Sequence, residues 1–215
     1  EGFTKIAESL LPKQLLIELD GYFTFFDFVC EKYNIEKLKT IGDAYMCAGG
    51  LPTANKTHAL DACLTAMEFR DFALRMQELN SSSKDEMMPW ELRIGLHTGP
   101  VIGGIVGTTK FAYDVWGDSV NIASRIESSS VPGKINISET TYELVKDFFV
   151  CEHRGKVSAK NKGEIRMYFL DRLRPELSSN EEGTAPNEKF HELYAKVKAG
   201  ESIVTYSLNQ LPLAV

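Results

Sequence analysis

Eleven residues, Glu36-Lys37-Leu38-Lys39-Thr40-Ile41-Gly42-Asp43-Ala44-Tyr45-Met46, constrain this chain more than any other stretch. They read as two short strands folded back at Gly42-Asp43, with β-permissive residues on both sides (Leu38, Thr40, Ile41; Tyr45, Met46, Cys47). Gly-Asp reverses the stronger Asp-Gly hairpin signal but supplies workable turn chemistry. A carboxylate at such a tip sits on rigid backbone, exposed at one end of a sheet. That suits Mg²⁺, which takes few protein carboxylates and draws the rest of its shell from water and phosphates. An isolated Gly-Asp more often marks a plain turn, so the remaining residues must decide.

At 215 residues the chain suits one domain with an appended tail, and a 43% hydrophobic fraction can fill a sizeable core. A net charge of −6 excludes nucleic acid as a bulk partner, because phosphate backbones need a basic surface. Any polyphosphate site must be built from a few placed cations. Cys30, Cys47, Cys63 and Cys151 stand singly among apolar residues and read as reduced core thiols of a cytosolic protein. No apolar run reaches membrane-spanning length and no signal peptide is visible. The opening Glu1-Gly2-Phe3-Thr4, without an initiator Met, suggests a piece of something longer.

Leu15, Leu19, Tyr22, Phe26 and Val29 recur at helical spacing and predict a helix over Pro12–Tyr33, broadly buried or touching a second subunit. A second helix is predicted from about His58 to Asn80, with Leu60, Cys63, Met67 and Leu74 inward. Residues 92–96 alternate like a strand, and His97 reads as a structural histidine. The cluster Gly103-Gly104…Gly107 has neither G-x-x-x-x-G-K-[ST] nor G-x-G-x-x-G before a helix, so it reads as a strand pair approached by another backbone. Phe111 to Trp116 is a strand interrupted by Asp114. Asp118 or Ser119 is placed to cap the following helix, on which Asn121 and Arg125 share a face. A strand at Lys134–Ser138, a short helix to Lys146, a polar turn at Ala159–Gly163 and a strand at Ile165–Leu170 follow. Ser178 to Pro186 has linker composition. Asn187 to Ala199 fits a short helix within a peripheral tail.

Six separated segments then agree in order: Gly2-Phe3-Thr4, Lys39-Thr40-Ile41-Gly42-Asp43, Gly95-Leu96-His97-Thr98-Gly99, Tyr113-Asp114-Val115-Trp116-Gly117, Val120-Asn121-Ile122-Ala123-Ser124-Arg125 and Lys160-Asn161-Lys162-Gly163. Together they resemble the catalytic domain of class III nucleotidyl cyclases over residues 1–172, leaving 173–215 as linker and tail. The resemblance implies an α+β fold with a ferredoxin-like βαββαβ core, a mixed, mainly antiparallel sheet and flanking helices. It also implies a homodimer with sites between subunits, and conversion of ATP to cyclic AMP and pyrophosphate with two divalent ions, Mg²⁺ or Mn²⁺. Asp43 matches a metal aspartate; Lys39 and Asp114, with the adjacent Val115, match the adenine-reading positions. Asn121 matches the ribose-orienting asparagine and Arg125 the arginine at the reacting phosphate. Lys160 matches the lysine on the terminal phosphates, and Phe3 and Thr4 the turn beside them. The family's other metal aspartate would stand two residues before Glu1.

Hydrogen-bond inventory favours ATP. At ring position 1 adenine accepts and at position 6 it donates, whereas guanine does the reverse; Lys39 only donates and ionised Asp114 only accepts. The alternatives are a guanylyl cyclase, a non-catalytic nucleotide-binding cyclase homologue, and a palm-type polymerase or dinucleotide cyclase. The domain is expected in the cytoplasm, joined to an upstream sensory or membrane region.

Overall fold

The computed structural model describes residues 8, 11–82, 90–109, 111–159 and 163–201. Elements are α1 (Pro12–Lys32), β1 (Ile35–Ile41), β2 (Ala44–Gly49), α2 (His58–Ser82), β3 (Ile94–Leu96), β4 (Ile102–Val106), β5 (Ala112–Trp116), α3 (Asp118–Ser128), β6 (Ile135–Ser138), α4 (Glu139–Val145), β7 (Phe149–Ala159), β8 (Gly163–Leu173) and α5 (Glu188–Ala199), with a 3₁₀ turn at Pro175–Leu177. The architecture is the mixed α+β one expected. Among the described residues the strands group as two hairpins, β1–β2 and β4–β5, and a four-stranded sheet ordered β3-β6-β8-β7. In that sheet β3 runs parallel to β6, and the other pairs are antiparallel.

Pro12 begins α1, where its missing N–H is harmless. Lys32 is the helix's last residue, and Asn34 then takes a left-handed φ of 54°. Phe26, Val29 and Cys30 bury against Ile35 and Phe69, with Tyr22, Phe23 and Phe25 half-buried around them. Leu11, Leu16, Ile17 and Phe28 stay exposed, so α1 is buried on one stripe only. In α2 Leu60, Cys63 and Met67 are buried as predicted, whereas Leu74 faces outward.

The larger core joins α2 to the four-stranded sheet through Leu60, Met67, Ile135, Ile137, Phe148 and Leu170. The segment whose composition suggested a peripheral tail is packed into this core. Leu177 and Phe190 are each 1% exposed, and the Phe190 ring meets Phe148 edge-on at 5.4 Å. The polar stretch before α5 is an ordered turn: Asn180 Oδ1 accepts from the backbone N–H groups of Thr184 and Ala185 at 3.0 and 3.2 Å. Asn187 then caps α5 by accepting from the Phe190 N–H at 3.0 Å. Tyr194 on α5 donates to buried Asp61 at the head of α2, at 2.7 Å.

Two features fix the place of α3. Gly95 in β3 lets α3 lie directly on the strand: a Cβ there would stand 2.2 Å from the Glu127 amide nitrogen. Asn136 on β6 donates to the Ile126 carbonyl at 2.8 Å, fixing α3 from the same side. The expected cap of α3 by Asp118 or Ser119 does not form. Gly117 occupies the cap position, and the Ser119 hydroxyl instead donates to the Pro100 carbonyl at 2.7 Å, tying α3 to the loop before β4.

Candidate active site

The β1–β2 hairpin closes on two residues, with Ile41 paired to Ala44 across Gly42-Asp43. Gly42 has φ 62° and Asp43 does not take a positive φ. That is the arrangement of a two-residue turn with glycine first, which explains why the order is Gly-Asp. Asp43 is therefore exposed at a rigid tip.

Lys39 lies four residues before Asp43 on β1, and Asp114 stands in the middle of β5. The structure brings them together across 75 residues of sequence: Lys39 Nζ donates to Asp114 Oδ2 at 2.6 Å. The second carboxylate oxygen, Oδ1, accepts from the Val115 N–H at 2.8 Å. Asp114 is the more enclosed partner, with its side chain 19% exposed against 41% for Lys39. The hydrogen bond from Lys39, followed by that from the Val115 amide, outweighs desolvation and holds the Asp114 carboxyl below its ordinary range. It stays an ionised acceptor with a fixed plane, and Val115 itself is buried.

Asn121 and Arg125 sit one turn apart on α3, exposed and half-buried respectively. Neither side chain hydrogen-bonds or ion-pairs with Lys39, Asp43 or Asp114 among the described residues, and Arg125 has no ion pair there. The chain thus holds two separate groups, one on the hairpins and one on α3. Phe3, Thr4 and Lys160 lie outside the described residues.

No cluster of three or more potential metal-ligating side chains occurs among the described residues. Asp43 alone is a hard oxygen donor, exposed on fixed backbone. It fits one position of a Mg²⁺-type shell completed by water and substrate phosphates, and it would not suit a zinc site built from nitrogen and sulfur. His97 is half-buried, with Nδ1 2.9 Å from Ser138 Oγ, and burial lowers its pKa. It belongs to the sheet's packing, as its sequence context suggested.

Sequence reasoning passed over a further group beneath the hairpin. Asp27 on α1 accepts from Lys37 Nζ at 2.7 Å and from the Tyr45 hydroxyl at 2.5 Å. The one available signal was a carboxylate between Phe26 and Phe28 on an otherwise apolar turn.

The adenylate and guanylate cyclase catalytic domain matches residues 1–172 as a sequence family. This chain belongs to that family, the class III nucleotidyl cyclases. It is 41% identical over 170 residues to an adenylate cyclase of Mycobacterium tuberculosis, covering 79% of this chain and 37% of that protein. It is 39% identical over 174 residues to guanylate cyclase 2G of Rattus norvegicus, covering 79% of this chain and 15% of that one. The chain thus spans well under half the length of these relatives. Among solved structures, the adenylyl cyclase CyaB of P. aeruginosa superposes with a TM-score of 0.74 at 31% identity, covering 83% of this chain and 92% of that one. The family is one of cyclases, lyases whose chemistry uses divalent metal ions. No helix among the described residues of this cyclase domain is long and apolar enough to cross a membrane.

Proposed function

We propose that this domain is an adenylyl cyclase, converting ATP to 3′,5′-cyclic AMP and pyrophosphate at sites shared between two copies of the chain. The observation that carries the choice of base is the 2.6 Å contact of Lys39 Nζ with Asp114 Oδ2 beside the Asp43 turn. A lone donor and a lone acceptor stand side by side, matching the N1 acceptor and the 6-amino donor of adenine. Lys39 and Asp114 satisfy one another; on binding ATP they would exchange that bond for two to the base.

In the reaction the ribose 3′-hydroxyl forms a bond to the α-phosphorus in line as the bond to the bridging oxygen breaks and pyrophosphate leaves. Asn121 holds the sugar so that the hydroxyl lines up, a positioning effect. Arg125 donates to phosphate oxygens whose charge rises in the transition state. By the family resemblance Lys160 is assigned to the terminal phosphates, and Phe3 and Thr4 to the turn beside them. Asp43 would hold Mg²⁺ or Mn²⁺, with two ions expected per site. When bound, such ions would acidify the attacking hydroxyl and neutralise charge on the leaving group.

Two features support a homodimer. The metal and base group and the Asn121–Arg125 group lie on one chain with no hydrogen bond or ion pair between them among the described residues, as two half-sites would. The β4–β5 hairpin also exposes the paired Ile102 and Trp116 on one face and Ile105 on the other, apolar area available to a second copy. In the longer protein, an upstream sensory or membrane region would regulate the cytoplasmic domain. The net charge of −6 argues against nucleic acid as a bulk partner.

The 39% identity to the rat guanylate cyclase supports a second reading, cyclisation of GTP. The test incubates the protein with ATP or GTP and Mg²⁺ or Mn²⁺ and quantifies each cyclic product. ATP should be preferred, and the double change Lys39→Glu, Asp114→Cys should lower ATP use relative to GTP by at least about tenfold. An unchanged ratio would refute the base assignment. Specific activity should fall on dilution; constancy down to demonstrable monomer would refute the shared site.

A further inference from the structure

The hairpin that carries Lys39 and Asp43 is fastened from one face by a single carboxylate. Asp27 Oδ2 accepts from Lys37 Nζ at 2.7 Å, and Oδ1 accepts from the Tyr45 hydroxyl at 2.5 Å. Lys37 is on β1 and Tyr45 on β2, so one α1 side chain grips both strands. Lys37 Nζ also lies 5.3 Å over the Tyr45 ring. Lys37 stands two residues before Lys39, and Tyr45 two after Asp43.

The strand register gives this grip its meaning. Lys37 pairs with Cys47, but Lys39 pairs with Met46, so β1 carries Leu38 as an extra residue. Paired residues share a face and neighbours along a strand alternate. Lys37, Cys47 and Tyr45 therefore face α1, where Cys47 meets the Cys30 thiol, while Lys39 and Met46 face the other way, toward Asp114. In an unbulged strand Lys37 and Lys39, two residues apart, would share a face. Lys39 would then point at α1 and away from β5. A bulge that re-aims a side chain interrupts the ladder locally and is retained only if something favours it over the regular pairing.

We propose that Asp27 is a positioning residue for nucleotide cyclisation: its bonds to Lys37 and Tyr45 lock the bulged register of β1–β2 and so set the places of Lys39 and Asp43. The inference rests on the cyclase reading above. Asp27 itself touches no reacting atom. Burial raises its pKa, but the bonds from Lys37 and Tyr45 and the Lys37 charge more than offset this, so it is anionic at neutral pH and binds both donors. The Asp27–Lys37 pair is nearly half exposed on both sides, and such pairs contribute little to global stability. Its loss should therefore show in site geometry before it shows in melting.

The experiment compares Asp27→Asn, Asp27→Glu, Tyr45→Phe and Lys37→Met with wild type in three readouts. These are turnover of ATP and GTP, melting temperature, and calorimetric binding of Mn²⁺ together with 3′-deoxy-ATP, which lacks the attacking hydroxyl. Asp27→Asn should lose about tenfold in kcat and bind Mn²⁺ about tenfold more weakly, the range seen when the support of a metal ligand is removed. Its preference for ATP should fall, with the melting temperature close to wild type. Asp27→Glu should recover part of each loss, and Tyr45→Phe and Lys37→Met should show smaller losses in the same direction. If Asp27→Asn does not fold, the Tyr45 and Lys37 variants carry the test. Wild-type Mn²⁺ binding and base preference in the folded variants, or a loss confined to melting temperature, would overturn the proposal. Wild-type protein that binds Mn²⁺ and 3′-deoxy-ATP but cyclises neither nucleotide would overturn the cyclase reading instead, with the binding readouts still testing the register.

Discussion

Replacing Gly95 by alanine should cripple turnover while leaving a folded protein. The added Cβ would sit 2.2 Å from the Glu127 nitrogen, 2.5 Å from its Cα and 2.7 Å from its Cβ. The two nearest atoms are backbone of α3, so no rotamer change relieves the contact. Moving the closest atom from 2.2 Å out to the 3.4 Å where ordinary contact begins requires a displacement of about 1.2 Å. β3 cannot retreat freely, since it is paired to β6 and its Leu96 packs against the main core. Much of the shift must therefore pass to α3, and with it to Asn121 and Arg125. Misplacing a reacting constellation by 1 Å can cost on the order of 10²-fold in rate. Overpacking should cost about 1–3 kcal/mol, lowering the melting temperature by about 2–4 °C for each kcal/mol in a chain of this size. The assay pairs kcat at saturating nucleotide with a thermal melt. Gly21→Ala is the control: nothing lies within 4 Å of a Cβ there, so it should leave kcat unchanged and slightly stabilise α1. A folded Gly95→Ala protein with kcat within about threefold of wild type would refute the claim that β3 sets the place of α3 for catalysis.

Arg125→Ala should lose about 10²–10³ in kcat without loss of fold, since one donor to a charge-developing oxygen is removed and the guanidinium has no ion pair among the described residues; turnover at the wild-type level would end its assigned role. Asp61 offers a pH test. Burial raises its pKa and the Tyr194 and Thr57 hydroxyls only partly offset this, so the folded state favours the protonated acid. Its stabilising contribution is full below the ordinary carboxylate range and is lost as pH rises through the raised value. Asp61→Asn, which cannot ionise, should gain stability relative to wild type between about pH 4 and pH 7 in urea unfolding. A difference that stays constant or shrinks over that interval would contradict the assignment.

Periodicity exposed α1, which buries one stripe, and the hairpin at Gly42-Asp43 announced itself through turn chemistry. β7 and most of its pairing with β8 were not legible. Register irregularities at Val150/Cys151 and His153/Gly155 break the two-residue alternation, so Glu152-His153-Arg154-Gly155-Lys156 shows no strand pattern. The stretch from Ser178 to Pro186 misled for another reason: its polar residues bond to their own backbone around Asn180, which composition cannot distinguish from solvation. For the site, Asp43 was readable as a mounted carboxylate. The meeting of Lys39 with Asp114 was not, since nothing local in either strand specifies a partner 75 residues away; only the family resemblance paired them. Asp27 showed only as a carboxylate between two phenylalanines, and the Leu38 bulge was invisible, because one extra residue in a strand leaves no mark in hydropathy.

The packing of α5 separates shared ancestry from mechanical integrity. The family match stops at residue 172, yet Phe190 is wedged beside Phe148 and Tyr194 reaches across to the head of α2. A chain trimmed at the homology boundary would lose the side chains that fill this part of the interior and strip a hydroxyl from an enclosed carboxylate. Comparing such a trimmed protein with the whole would confuse a loosened scaffold with a defect in chemistry, and the segment after 172 should be retained wherever the catalytic properties of this domain are measured.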